Sequence, residues 1–343
     1  MAVAMRSIDS LPKAHLHLHF TGSMRHRTLV ELAERDGVRL PPALVDEWPP
    51  QLRATDEKGW FRFQRLYDTA RSVLRTPDDV RRLVHEVAED DASEGSVWTE
   101  IQVDPSGYAA KFGGITAFTD LVLDCVDEAS TTHGIGMAVV IASNRTRHPL
   151  DARTLARLAT QYAGRGVVGF GLSNDERRGD TAAFAPAFTI ARRGGLRSMP
   201  HGGELRGPAS VAAVLQHLEP DRIGHGVRSV EDPEVLAAVA HAGITLEVCP
   251  SSNVALGVYD TFEEVPVRTL VEAGVGVALG ADDPLLFGAR LSGQYAALRA
   301  AQDFSDAELA ELARMSLRGS YAPADLREKA LAAIDAWLAA DPA

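Results

Sequence analysis

Short apolar runs alternate along this chain with longer stretches in which apolar side chains recur every three or four positions. Short, bounded apolar runs rich in β-branched residues mark buried strands, and a period near 3.6 marks helices with one apolar face. Strands are predicted at residues 14–20, 97–103, 136–142, 166–172, 195–201, 222–227, 244–249 and 274–280. Helices are predicted between them at 79–92, 117–131, 152–162, 182–193, 210–217, 233–242 and 267–273. Gly134, Gly194, Gly243 and Gly274 follow helical stretches, where a left-handed residue closes the last turn.

Strands joined by helical crossovers form parallel sheets, and eight of them favour closure into a (β/α)8 TIM barrel. The alternative is an open doubly wound sheet, which carries a glycine-rich phosphate turn after its first strand. Here the first strand ends in histidines instead. The whole chain, 1–343, is expected to be one barrel domain of the metal-dependent hydrolase type, with a helical insertion at about 21–96. Within the insertion, Trp60, Phe63 and Tyr67 fall on one helical stripe. That stripe either packs on the barrel wall or forms a lid that turns Phe61 or Phe63 toward a substrate. The stretch 305–340 is helical by pattern and has a structural role.

Composition narrows the function. The 343 residues carry a formal charge of −12 and are 45% hydrophobic. An acidic balance disfavours nucleic-acid partners, whose phosphates require a basic face. The two cysteines, Cys125 and Cys249, form no disulfide framework or metal spacing. No run is long and apolar enough to span a bilayer, and the stretch 1–12 lacks an apolar signal core. A cytoplasmic enzyme acting on a small molecule is expected.

The chemistry clusters at strand ends. His17 and His19 are two apart on the first strand, so they point to one face. Alone, a His-x-His pair carries little weight. Strand five, however, ends in Pro200-His201-Gly-Gly-Glu204, strand six in Gly224-His225-Gly226, and strand eight in Gly280-Ala-Asp282-Asp283-Pro284. Catalytic groups of such barrels sit at the C-terminal ends of the strands. A mixed histidine and carboxylate set suits zinc or another first-row divalent ion, which lowers the pKa of water to roughly 7. His225 and Glu204 are then candidates for proton transfer.

Together, His-x-His, His-x-x-Glu, Gly-His-Gly and Asp-Asp-Pro, in this order from about Leu11 to Arg290, resemble the adenosine deaminase family. The resemblance implies an amidohydrolase barrel with one zinc ion per chain and hydrolytic removal of the 6-amino group of a purine nucleoside. It assigns His17, His19, His201 and Asp282 as zinc ligands. It makes Glu204 the acid at purine N1, His225 the base toward water, and Asp283 the contact to N7. Two zinc-hydrolase alternatives lack their residues. No lysine follows strand four, as a binuclear site needs, and Cys249-Pro250 has no second cysteine to make a Pro-Cys-x-x-Cys signature.

The sugar end departs from the family pattern. Thr21 stands where aspartate usually meets the ribose 5′-hydroxyl, and Asn174 stands where a glycine N–H meets N3. His15 replaces a common glutamate, and Gln102 an arginine. Arg25 is placed to pair with a carboxylate on a 5′ substituent. A 5′-modified nucleoside such as aminodeoxyfutalosine is therefore one alternative substrate, and a non-catalytic purine-binding module is a second alternative. Asp175 and Glu176 are read as loop surface.

Overall fold

The computed structural model describes residues 5–341. Eight strands succeed one another in parallel, each pairing with the next: β1 (Lys13–His19), β2 (Ser96–Val103), β3 (Gly136–Asn144), β4 (Val167–Ser173), β5 (Arg197–Gly202), β6 (Arg222–His225), β7 (Thr245–Val248) and β8 (Gly276–Leu279). The last gap is bridged just beyond β8. The Asp282 N–H donates to the His17 carbonyl at 3.0 Å, and the His19 N–H donates to the Asp282 carbonyl at 2.9 Å. The expected (β/α)8 barrel is thus present. The strands are mostly buried because both of their faces are covered.

Helices wrap the outside. Three lie between β1 and β2: α1 (His26–Asp36), α2 (Glu57–Ser72) and α3 (Pro77–Ser93). The last is an ordinary barrel helix, burying Val80, Leu83, Val84 and Val87. Its start is fixed by a capping box between Thr76 and Asp79. The helix Asp306–Gly319 packs over β8 and β1, and its Ser316 hydroxyl accepts the Ala14 N–H at 2.9 Å. The predicted C-terminal helical stretch is therefore part of the barrel wall. Among the described residues no helix is long and apolar enough to cross a membrane.

Charge also lies inside the barrel. Arg222 opens β6 and is fully buried, with its Nε donating to Glu247 on β7 at 2.6 Å and an Nη donating to Glu100 on β2. Glu100 also accepts the Trp98 indole N–H at 2.8 Å and the Tyr321 N–H at 3.0 Å. Removing one partner of a buried ion pair strands the others without solvent. Arg222→Met should therefore lower unfolding free energy by about 3–5 kcal/mol, read as an earlier urea midpoint; an unchanged midpoint would show the cluster to be energetically neutral.

Candidate active site

β1 delivers His17 and His19, β5 delivers His201, and β6 ends on His225. Glu204 sits on the loop after β5, and Asp282 and Asp283 follow β8. Asp282 Oδ1 lies 3.1 Å from His19 Nε2 and 3.5 Å from His17 Nε2. His19 Nε2 and His201 Nε2 are 3.2 Å apart. Four ligands at 2.0–2.1 Å from a tetrahedral zinc stand about 3.3 Å from one another. These three separations match that spacing. The Nε2 of His17 is buried without a hydrogen-bond partner, while its Nδ1 bonds Glu247 at 2.7 Å. A carboxylate on the far nitrogen fixes the tautomer that leaves Nε2 as a lone pair.

His15 follows a different path, although simple alternation puts it on the same face as His17. The register of β1 on β2 slips between His15 and Leu18. His15 consequently turns outward, donating from Nδ1 to Asp91 of α3 at 2.9 Å and accepting the Ala281 N–H at 3.1 Å. Close approach elsewhere depends on glycine. A Cβ on Gly224 would stand 2.9 Å from the His17 ring, and one on Gly22 only 1.7 Å from Asp283 Oδ1. Asn174, His225 and Asp282 hold left-handed backbones, with φ of 80°, 62° and 60°. Such strain costs of order 1–3 kcal/mol per residue and clusters at functional sites.

Burial sorts the protonation states. It opposes charge on His17, yet Asp282 and Glu247 outweigh it and lift the imidazole to about 10. At neutral pH a proton therefore occupies the His17 Nε2 unless a cation displaces it. Burial pushes His225 down to about 3, and burial with the neighbouring histidines holds His201 well below its usual range, so both keep lone pairs. Burial also drives Glu204 well up, reinforced by Asp282 and Glu176. Asp283 rises for the same reason, with Asp282 adding to it. Burial works against Asp282 too, but His17 and His19 hold its carboxyl well down. Cys249 lies nearby, but burial raises its thiol well above the usual range, so it stays neutral.

These groups close the inner end of a cavity enclosing about 820 Å³ up to its open mouth. α2 roofs it with Trp60, Phe63, Gln64, Tyr67 and Arg71. Of the two phenylalanines expected to face a ligand, Phe63 does so, stacked on Phe287 at 5.8 Å, whereas Phe61 points outward and is 63% exposed. Asn174 lines the cavity and donates to Gln64 of α2 at 3.0 Å, joining roof to wall. Two expected sugar-end residues are not on its surface. Thr21 is fully buried, its hydroxyl bonded to that of Tyr108. Arg25 is turned away, bound to Glu89 and to Asp90, 3.0 Å from its Nε. Carboxylates of α3 already satisfy that guanidinium, so the expected pairing of Arg25 with a substrate carboxylate is not supported.

A family model for adenosine deaminase matches residues 12–337. The chain belongs to the adenosine deaminase family. A Streptomyces virginiae relative, provisionally named an adenosine/adenine deaminase, is 64% identical over 97% of this chain and 98% of its own. The aminodeoxyfutalosine deaminase of Streptomyces avermitilis is 35% identical over 97% and 93%. The solved adenine deaminase of Arthrobacter aurescens superposes with a TM-score of 0.88 at 27% identity, covering 96% of this chain and 99% of that one. The chain is a hydrolytic deaminase, which sets aside the non-catalytic binding module.

Several residues of this deaminase site escape the pattern of the sequence. Glu176, expected on a loop surface, is buried and accepts the N–H groups of Glu204 at 3.0 Å, Leu205 at 2.7 Å and Arg206 at 2.9 Å, as well as that of Gly203. It shapes the loop that carries Glu204. Asp175 is buried too, binding Arg177 at 2.9 Å. Glu247 sits in an apolar strand, and only the three-dimensional structure shows that it faces His17. Its sole local signal is a carboxylate in an otherwise apolar run. For the crowded Gly22, alanine should push Asp283 aside and lower kcat/KM about 100-fold, measured as ammonia release; near-normal turnover would show that Asp283 tolerates displacement.

Proposed function

We propose that this deaminase acts on 6-aminopurine nucleosides with one zinc ion per chain, held by His17, His19, His201 and Asp282. The spacing of the four donors and the free Nε2 of His17 support the ligand set. Zinc bound there supplies a Lewis acid that makes water nucleophilic at neutral pH. The remaining chemistry belongs to the side chains. His225, neutral because it is buried, accepts a proton from the attacking water. Glu204, held protonated, passes its proton to N1 and makes C6 electrophilic. Asp283, also protonated, donates to N7, which is an acceptor on adenine. A C–O bond forms at C6, the C–N bond breaks, and ammonia leaves. α2 excludes water from above, as a lid would.

The observation that carries the nucleoside assignment is the polar outer half of the cavity, lined by Gln64, Arg71, Asp104, Asn144 and Asn174 in addition to the groups at the histidines. A second substrate, a 5′-modified nucleoside of the aminodeoxyfutalosine kind, is favoured by Arg71 in that half and by the relative of that activity. Turnover of adenine, adenosine, 5′-methylthioadenosine and aminodeoxyfutalosine separates the two, and preference for the free base would overturn both. Glu204→Gln should retain zinc by elemental analysis while losing about 10²–10⁴-fold in kcat. Near-normal turnover in that variant would remove Glu204 from its role as the acid.

A further inference from the structure

The outer half of the cavity contains one carboxylate, Asp104, just past the end of β2. Its Oδ1 accepts the Ser106 N–H at 3.0 Å and the Ser106 hydroxyl at 2.5 Å, which pins the side chain. Among the described residues Oδ2 has no hydrogen-bond partner. The register sets its depth. His19 pairs with Gln102 across β1 and β2, and Gln102 Nε2 lies 3.3 Å from His17 Nδ1 at the inner end. Asp104 is two residues further along, just past the strand end, which brings it up to about 6.6 Å nearer the mouth of the cavity it lines.

Thr21 lies two residues beyond His19, as Asp104 lies two beyond Gln102, the partner of His19. Its hydroxyl is engaged by Tyr108. Position 21 therefore offers the cavity nothing, and the acceptor at this level is Asp104. Burial raises the Asp104 carboxyl above its usual range, opposed by the Ser106 hydrogen bonds and by Arg147 and Arg71.

We infer that Asp104 is the residue that selects the sugar: its free oxygen accepts a hydrogen bond from a ribose hydroxyl of the bound nucleoside. This rests on the nucleoside assignment above. A carboxylate in that position welcomes a neutral hydroxyl donor and repels a phosphate or carboxylate, so it also orders substrates by charge. An uncharged nucleoside ranks above its 5′-anionic counterpart despite the presence of Arg71.

The test compares adenine, adenosine, its 2′-, 3′- and 5′-deoxy analogues and 5′-AMP on the zinc-loaded enzyme and on Asp104→Asn. Asparagine keeps Oδ1 for Ser106, so the turn is preserved. The wild type should lose about 10–100-fold in kcat/KM when one particular hydroxyl is removed, mostly through KM. The variant should show no such penalty for that analogue, and its ratio of AMP to adenosine turnover should rise. If the wild type treats all the deoxy analogues like adenosine, or if the variant retains the same penalty, Asp104 does not bind the sugar and the nucleoside assignment stands alone. If the wild type deaminates adenine and ignores adenosine, both fall. The wild-type series decides the first point even if the variant fails to fold.

Discussion

His17 lies between two carboxylates in the dry centre of a barrel, and much of the structure answers to that. Asp282 approaches its Nε2 and Glu247 its Nδ1, and none of the three is open to solvent. Negative charge in such a place is costly unless positive charge meets it. Below, Arg222 compensates Glu247 and extends the network to Glu100 across the interior. Above, the Nε2 of His17, His19 and His201 and the Asp282 oxygen face one another, and the His17 Nε2 has no hydrogen-bond partner. The barrel itself is closed through Asp282, whose backbone bridges to β1 on both sides. The same residue thus joins the last strand to the first and supplies the carboxylate at the centre.

Burial then does a second job. The low-dielectric surroundings that make unpaired charge expensive keep Glu204 and Asp283 protonated and His225 neutral. Two carboxyls that favour the proton and one imidazole that favours its neutral form result without any unusual residue type. Their placement depends on backbone made rigid by other buried groups. Glu176 gathers successive N–H groups of the Glu204 loop, and Arg145 donates to the His201 carbonyl at 2.7 Å. Away from this end the cavity is lined by Asp104, Asn144 and Asn174, under a roof tied down through Asn174 and Gln64.

The strands and the inner site are legible in the chain because both follow local rules. A buried parallel strand has to be an apolar run, and a residue at its C-terminal end has to face the site. So His17, His201, His225 and Asp282 can be located from pattern, and their order along the chain resembles one family. What the pattern does not show shares a cause. His15 has the same spacing as His17, and only the slip of β1 against β2 decides that it faces outward. Arg25 lies near the strand end in sequence, but α3 offers it nearer carboxylates. Glu176 follows its strand like any loop acid, yet its partners lie on another loop.

By itself, then, the sequence determined an eight-stranded α/β barrel with a helical insertion, the family, and a set of polar residues at the strand ends, since periodicity and strand-end placement are properties of neighbours along the chain. The tertiary structure alone decided which polar groups meet: Glu247 on His17, Glu176 on the Glu204 loop, Thr21 behind Tyr108, and Asp104 on the cavity surface. These pairings join residues from different strands and loops. Their energies depend on desolvation and on register across the sheet, and neither quantity is written in the order of the amino acids.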